Sequence, residues 1–184
     1  MSAAKSIGAA LVLLTAISGR AGAEAPPKAP EAKPAPDTKV ITTEPTHALV
    51  LPMKGSYMQH PAAFERLGAS LASRGVTPLG AAFGRYFSDP SVGEANLVWE
   101  VGLPVPTGVT ADAPFEIKDI PATLAAVHVH RGPMEELGTA WTELVKWAIS
   151  NGYQPQVPAV QVFQGDPSAL QVEMRLPVQK VSSK

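Results

Sequence analysis

His128 and His130 are the pair of side chains with metal-like spacing. In an extended strand, residues two apart project to the same side, so both imidazoles would face one way. Zinc takes three or four ligands and a second shell. This pair alone is therefore no metal site, and His128 stays only as the anchor of an alternative haem or metal carrier. His47 and His60 join no constellation in sequence. There is no Ser-His-Asp spacing and no glycine-rich phosphate loop. The chain has no cysteine, which excludes a thiol nucleophile, a zinc ribbon and any disulfide. Glu100 and Glu173 are the acids that a hydrolase could use, and neither has an obvious partner in sequence. Alternation along Val157 to Gln164 places Ala159, Gln161 and Phe163 on one strand face and Val160 and Val162 on the other. A Gln amide neither ionises nor readily gives up a proton, so Gln161 can orient a molecule but cannot act as acid or base.

The elements that would position these residues come in two copies. With a shift of 77 positions, Lys54-Gly55 falls on Arg131-Gly132, Phe64 on Trp141, Leu67 on Leu144, Gly75 on Gly152, Pro78 on Pro155 and Asp89-Pro90 on Asp166-Pro167. After a change of loop length, the run from Glu100 to Val105 falls on Glu173 to Val178. A unit found twice is too short an array for a solenoid and predicts two modules related by a pseudo-twofold axis.

In module one, residues 44–105, Thr46 to Met53 reads as a strand. Pro61 suits the first turn of a helix, on which Phe64, Leu67, Gly68 and Leu71 share a face, with Gly68 read as a close-packing contact. Gly75 ends it, and Gly80 to Phe87 and Ala95 to Val105 follow as strands. In module two, residues 115–178, Pro114 to Ile120 is a connecting strand and Ala122 to His130 the repeat's first strand. The helix runs from Met134 to Ser150, with Met134, Leu137, Trp141, Leu144, Val145 and Ala148 as its apolar stripe and Trp147 partly exposed at its border. Val157 to Gln164 and Leu170 to Val178 close the module. The predicted fold is α+β: a duplicated strand–helix–strand–strand module with pseudo-twofold symmetry and a central groove.

Of the 184 residues, residues 1–23 read as a secretory signal peptide: Lys5, an apolar run from Ile7 to Ile17 too short to span a bilayer, then Ala21-Gly22-Ala23. Residues 24–40 form a Pro/Ala-rich linker, in which proline blocks regular structure, and residues 41–180 the domain. Without Lys5 and Arg20 the formal charge moves from −1 to −3, which gives nucleic acid no basic surface to meet. The expectation is a periplasmic or secreted protein with no stable membrane insertion once the signal is removed.

The run His130-Arg131-Gly132-Pro133, the Trp141 helix, the turn Asn151-Gly152-Tyr153, a strand ending in Asp166-Pro167, and Glu173 through Leu176-Pro177-Val178 together resemble the GyrI-like small-molecule-binding domain. That domain is also the effector-binding half of many AraC-type and MerR-type transcription regulators. The resemblance spans about residues 44–178 and implies the same duplicated module, with lipophilic and often cationic ligands held in the central groove. A few members hydrolyse small electrophilic compounds, and haem-binding proteins of the SOUL type are similar in fold. No DNA-binding segment is recognisable here, so regulation of transcription by this chain alone is not expected.

Where the family usually carries Glu-x-Tyr facing the groove, this chain has Gln161 and Phe163. Hydrolysis and cation selection by that route are lost, and a groove for a small, mostly neutral lipophilic molecule remains. Tyr86 is the repeat equivalent of Phe163, and Gly84, which leaves space, that of Gln161. Tyr57 falls where the family often has an aromatic near the cleft mouth. Trp99 either walls the groove or packs beneath the helix. Tyr57, Tyr86, Trp99, Gln161 and Phe163 are therefore the expected ligand-binding residues. Core packing is the competing role for Phe163 and Tyr86, a solvated polar position for Gln161 and a surface position for Tyr57. No catalytic residue, metal or cofactor is expected.

Overall fold

The computed structural model describes residues 38–165 and 171–181. The expected signal peptide, residues 24–37 of the expected linker and the expected Asp166-Pro167 turn lie outside the described residues. The elements are β1 (Lys39–Thr42), β2 (Thr46–Lys54), α1 (His60–Ser73), β3 (Phe83–Tyr86), β4 (Val98–Pro104), β5 (Glu116–Ile120), β6 (Leu124–His130), α2 (Leu137–Ser150), β7 (Tyr153–Pro155), β8 (Ala159–Gln164) and β9 (Gln171–Lys180). The architecture is α+β, as the repeat predicts.

Each helix forms for reasons readable in its residues. Pro61 sits in the first turn of α1, where its missing N–H costs nothing, and Ala63, Leu67 and Leu71 bury one face at four-residue spacing. Past the ends, Gly75 (φ 64°) and Gly152 (φ 77°) adopt the left-handed conformation that lets a glycine terminate a helix. Two details differ from expectation. A Cβ built on Gly68 would meet nothing within 4 Å, so Gly68 lines open space and is no packing contact. In α2, residues Met134–Glu136 form a 3-10 turn before the helix. Met134 is thereby left 46% exposed, off the stripe of Leu137, Leu144 and Ala148 that packs the core. Trp147 is half-buried at the edge of that core.

The strands form an antiparallel sheet in the order β1-β6-β9-β8-β3-β4-β2-β5, with β7 added against β9. At its centre β3 meets β8 with Gly84 opposite Gln161. These two residues are each other's repeat equivalents, so the pseudo-twofold axis passes between them. The outer strands extend the duplication beyond the expected unit: β1 and β5 are also repeat equivalents, and each is exchanged between halves. β1 precedes module one yet pairs with β6 of module two; β5 precedes module two yet pairs with β2 of module one. The short connections that carry the exchange are tied together where Thr43 N–H donates to Thr123 O at 2.8 Å and Thr123 N–H donates to Thr43 Oγ1 at 3.0 Å.

One core lies under α1 around Leu49, Leu67, Leu71, Trp99 and Val101. A second lies under α2 around Ala126, Leu144, Met174 and Leu176. A third, small cluster of Ala48, Val50, Phe83 and Val162 occupies the sheet face turned away from the helices.

Candidate ligand-binding site at the pseudo-twofold axis

Strand alternation sends Gly84, Tyr86, Gln161 and Phe163 to the helix side of the sheet. All five residues expected from the sequence meet there, and a sixth, His60, sits among them. Tyr57 packs edge-on to both Tyr86 and Trp99, with ring centroids 5.1 and 5.7 Å apart. The His60 ring lies 4.3 Å from Trp99, 6.1 Å from Phe64 and 6.4 Å from Phe163. Phe64 and Phe163 meet edge to face at 5.4 Å, within the range aromatic pairs favour. The site is thus an aromatic assembly drawn from β3, β4, α1 and the turn before it on one side and β8 on the other.

Its polar groups form a chain. The Tyr86 hydroxyl lies 2.9 Å from the side-chain amide of Gln161 and 2.9 Å from His60 Nε2. His60 Nδ1 is 2.5 Å from the carbonyl oxygen of Tyr57. Trp99 Nε1–H donates to Gly55 O at 2.9 Å, which satisfies its one donor. Burial pulls the His60 pKa below its ordinary value, against the opposing hydrogen bond to the Tyr57 backbone. Burial raises Tyr86, with Tyr57 adding to the effect. Burial and then the charge of Asp89 raise Tyr57. Both phenols therefore stay protonated near neutrality, and the imidazole favours its neutral form.

Exposure divides the six into two roles. Trp99 is 1% and Tyr86 8% exposed, so Trp99 packs beneath the helix and does not wall an open groove. Tyr57, His60, Gln161 and Phe163 are half-buried and form the accessible part. His60 is the residue sequence reasoning missed: it stands in the first turn of α1, 26 positions from Tyr86, where no local spacing connects the two. The one available signal was its place beside Pro61, which fixes a helix start.

Glu100 and Glu173 do not reach this assembly. Glu100 is 2% exposed on the other face of the sheet, and both of its oxygens are engaged, by Arg85 at 2.5 Å and Lys118 at 2.8 Å. Glu173 is held by Arg175 at 2.6 Å. Both acids thus have cationic partners that the sequence left unseen. Burial pulls Lys118 down, and its hydrogen bonds to Glu100 and Glu116 outweigh this, leaving its pKa raised.

That helix-free face also carries a cavity of about 400 Å³, lined among others by Phe83, Arg85, Val160, Val162 and Arg175 and by Thr43 and Pro121 of the crossing connections. It is large enough for a small molecule, and none of the five expected residues lines it.

Of the histidine pair, His130 Nε2 donates to the Pro133 carbonyl at 3.0 Å and so braces its own turn. His128 Nδ1 lies 3.3 Å from Thr38 Oγ1. Among the described residues no group of three or more His, Cys, Asp or Glu could hold a metal ion. No helix among them is long and apolar enough to cross a membrane.

A duplicated α+β module of this kind is the fold of a class of small-molecule-binding domains. The chain belongs to the GyrI-like small molecule binding domain family, whose pattern matches residues 36–179. Solved structures share the fold. The C-terminal domain of EcmrR superposes with a TM-score of 0.68 at 19% identity, over 78% of this chain and 98% of that one. EcmrR in its complex with DNA gives 0.69 at 19% identity, but this chain spans only 57% of that protein. SAV2435 bound to tetraphenylphosphonium gives 0.55 at 10% identity, over 78% of this chain and 94% of that one. No curated protein matches by sequence.

Proposed function

We propose that this protein is an exported, periplasmic or secreted binding protein that holds a small, lipophilic, mostly neutral molecule against Tyr57, His60, Gln161 and Phe163. The observation that carries this reading is the convergence of aromatic rings from both repeats on one uncharged amide at the pseudo-dyad. The SAV2435 structure holds tetraphenylphosphonium, a lipophilic cation. Among the described residues no carboxylate hydrogen-bonds to the aromatic assembly, and Gln161 stands where the family usually has Glu. A cation would find ring faces but no carboxylate at position 161, with only the charge of Asp89 felt at Tyr57. A neutral molecule loses less on leaving water. The DNA complex of EcmrR belongs to a longer protein, and the similarity here extends over its C-terminal domain. With a formal charge of −1, nucleic acid is not a proposed partner. Export rests on the Lys5, Ile7–Ile17 and Ala21-Gly22-Ala23 pattern, and a mature chain beginning at Glu24 in a periplasmic or culture fraction would establish it.

The test is thermal shift with triphenylmethanol and with tetraphenylphosphonium. The neutral compound should stabilise, by about 2.7 kcal/mol at a hundred times its Kd; the cation should do so more weakly. Stabilisation by neither defeats the reading. A second reading, favoured by the volume of the opposite cavity, puts the ligand on the helix-free face. Val160→Trp should abolish binding there and spare binding at Phe163.

A further inference from the structure

Counting protons along Tyr57, His60, Tyr86 and Gln161 shows what Gln161 offers a ligand. The Tyr57 carbonyl can only accept, so His60 Nδ1, 2.5 Å away, carries a proton. Tyr86 has one hydroxyl proton and two partners, His60 Nε2 and the Gln161 amide, each at 2.9 Å. If that proton goes to Gln161 Oε1, Nε2 must bring its own, and His60 is an imidazolium. If His60 is neutral, Nε2 is an acceptor and takes the Tyr86 proton. The Tyr86 oxygen then needs a donor, which only the NH2 end of Gln161 supplies. The oxygen and nitrogen of an amide occupy nearly the same space, so the turn changes no packing.

We propose that His60 sets the hydrogen-bond polarity of the site: with His60 neutral Gln161 presents its carbonyl oxygen outward, and with His60 protonated it presents its NH2. The atom of Gln161 that does not face Tyr86 has no partner among the described residues, so it is the group a ligand meets. This rests on the binding reading above and names the ligand class. Near neutral pH the site takes a flat apolar molecule that donates one hydrogen bond, such as a phenol or an aromatic alcohol. In acid the preference turns towards molecules that only accept.

The groups facing His60 leave the choice to solvent pH. Tyr57 precedes α1, Tyr86 comes from β3, Trp99 from β4, Phe64 from α1 itself, and Gln161 and Phe163 from β8. Only Tyr57 and Tyr86 among them titrate, and both do so far above neutrality. Asp89 acts on this assembly through Tyr57. Burial favours the neutral imidazole.

The experiment compares 2-naphthol with 2-methoxynaphthalene on the full chain at about pH 8 and about pH 5, a range that brackets a histidine. The ratio of the two Kd values should fall about fivefold or more in favour of the ether between those pH values, the worth of roughly one hydrogen bond. His60→Phe and, separately, Tyr86→Phe should abolish that change. A constant ratio in the unaltered protein overturns the proposal while leaving groove binding intact. If neither compound binds at any pH, the groove reading falls. The network is then decided without ligand by 15N NMR of His60. A neutral ring protonated at Nδ1, with Nε2 accepting, supports it; one protonated at Nε2 overturns it.

Discussion

Tyr86 lays its hydroxyl over Gly84, its neighbour but one on β3. A Cβ built on Gly84 would come within 2.5 Å of the Tyr86 oxygen. The space that glycine leaves beside the pseudo-dyad is taken by the phenol that reaches across to Gln161.

Gly84→Ala should therefore displace Tyr86 and break its bonds to His60 and Gln161. Overpacking of this kind costs about 1–3 kcal/mol, read as a lower urea midpoint at constant m. The loss should be smaller in a Tyr86→Phe background, because the clashing oxygen is gone. Equal losses in both backgrounds would contradict the contact.

Gln161→Glu restores the family's acid beside the aromatic rings. A charge pair a few ångströms apart at an effective dielectric near 20 is worth a few kcal/mol before desolvation. Tetraphenylphosphonium should then bind about tenfold more tightly, and triphenylmethanol no better, by calorimetry. An unchanged cation affinity would place the ligand elsewhere.

Glu100→Gln removes a 2%-exposed carboxylate from between Arg85 and Lys118. Leaving a buried charge without its partner costs about 3–5 kcal/mol, so the melting temperature should drop sharply. Ligand affinity measured well below that temperature should not change, since Glu100 and the aromatic assembly occupy opposite sheet faces.

Stability should weaken in mild acid through His60. Its pKa in the folded protein is lowered from 6.5, first by burial, so over the interval below that value the unfolded chain binds more protons than the folded one. Stability from this group is complete above about pH 6.5 and is lost as pH falls through the lower, folded pKa. In His60→Phe that part of the slope should disappear from denaturation curves taken across the range. An unaltered slope would mean that His60 is not held neutral.

Much of the fold was legible in the residues. The two copies could be laid over each other because close packing and left-handed turns constrain residue type locally: Leu67 and Leu144 under the helices, Gly75 and Gly152 after them. The face carrying Gln161 and Phe163 followed from the two-residue period of a strand. Other features were decided by the tertiary structure. The exchange of β1 and β5 was not readable, because pairing joins residues up to about 88 positions apart in short strands with no pattern of their own. Arg85 and Lys118 on Glu100, and His60 on Tyr86, were equally hidden. An ion pair or a hydrogen bond depends on where side chains end after the sheet has twisted and the helix has docked, and sequence spacing carries none of that. Residue type thus determined that the pseudo-dyad would hold an amide and aromatic rings without a carboxylate. The packing of α1 on β3 and β4 decided that a histidine would join them and govern their protons, because only docking brings the first turn of that helix within 2.9 Å of the central strand's phenol.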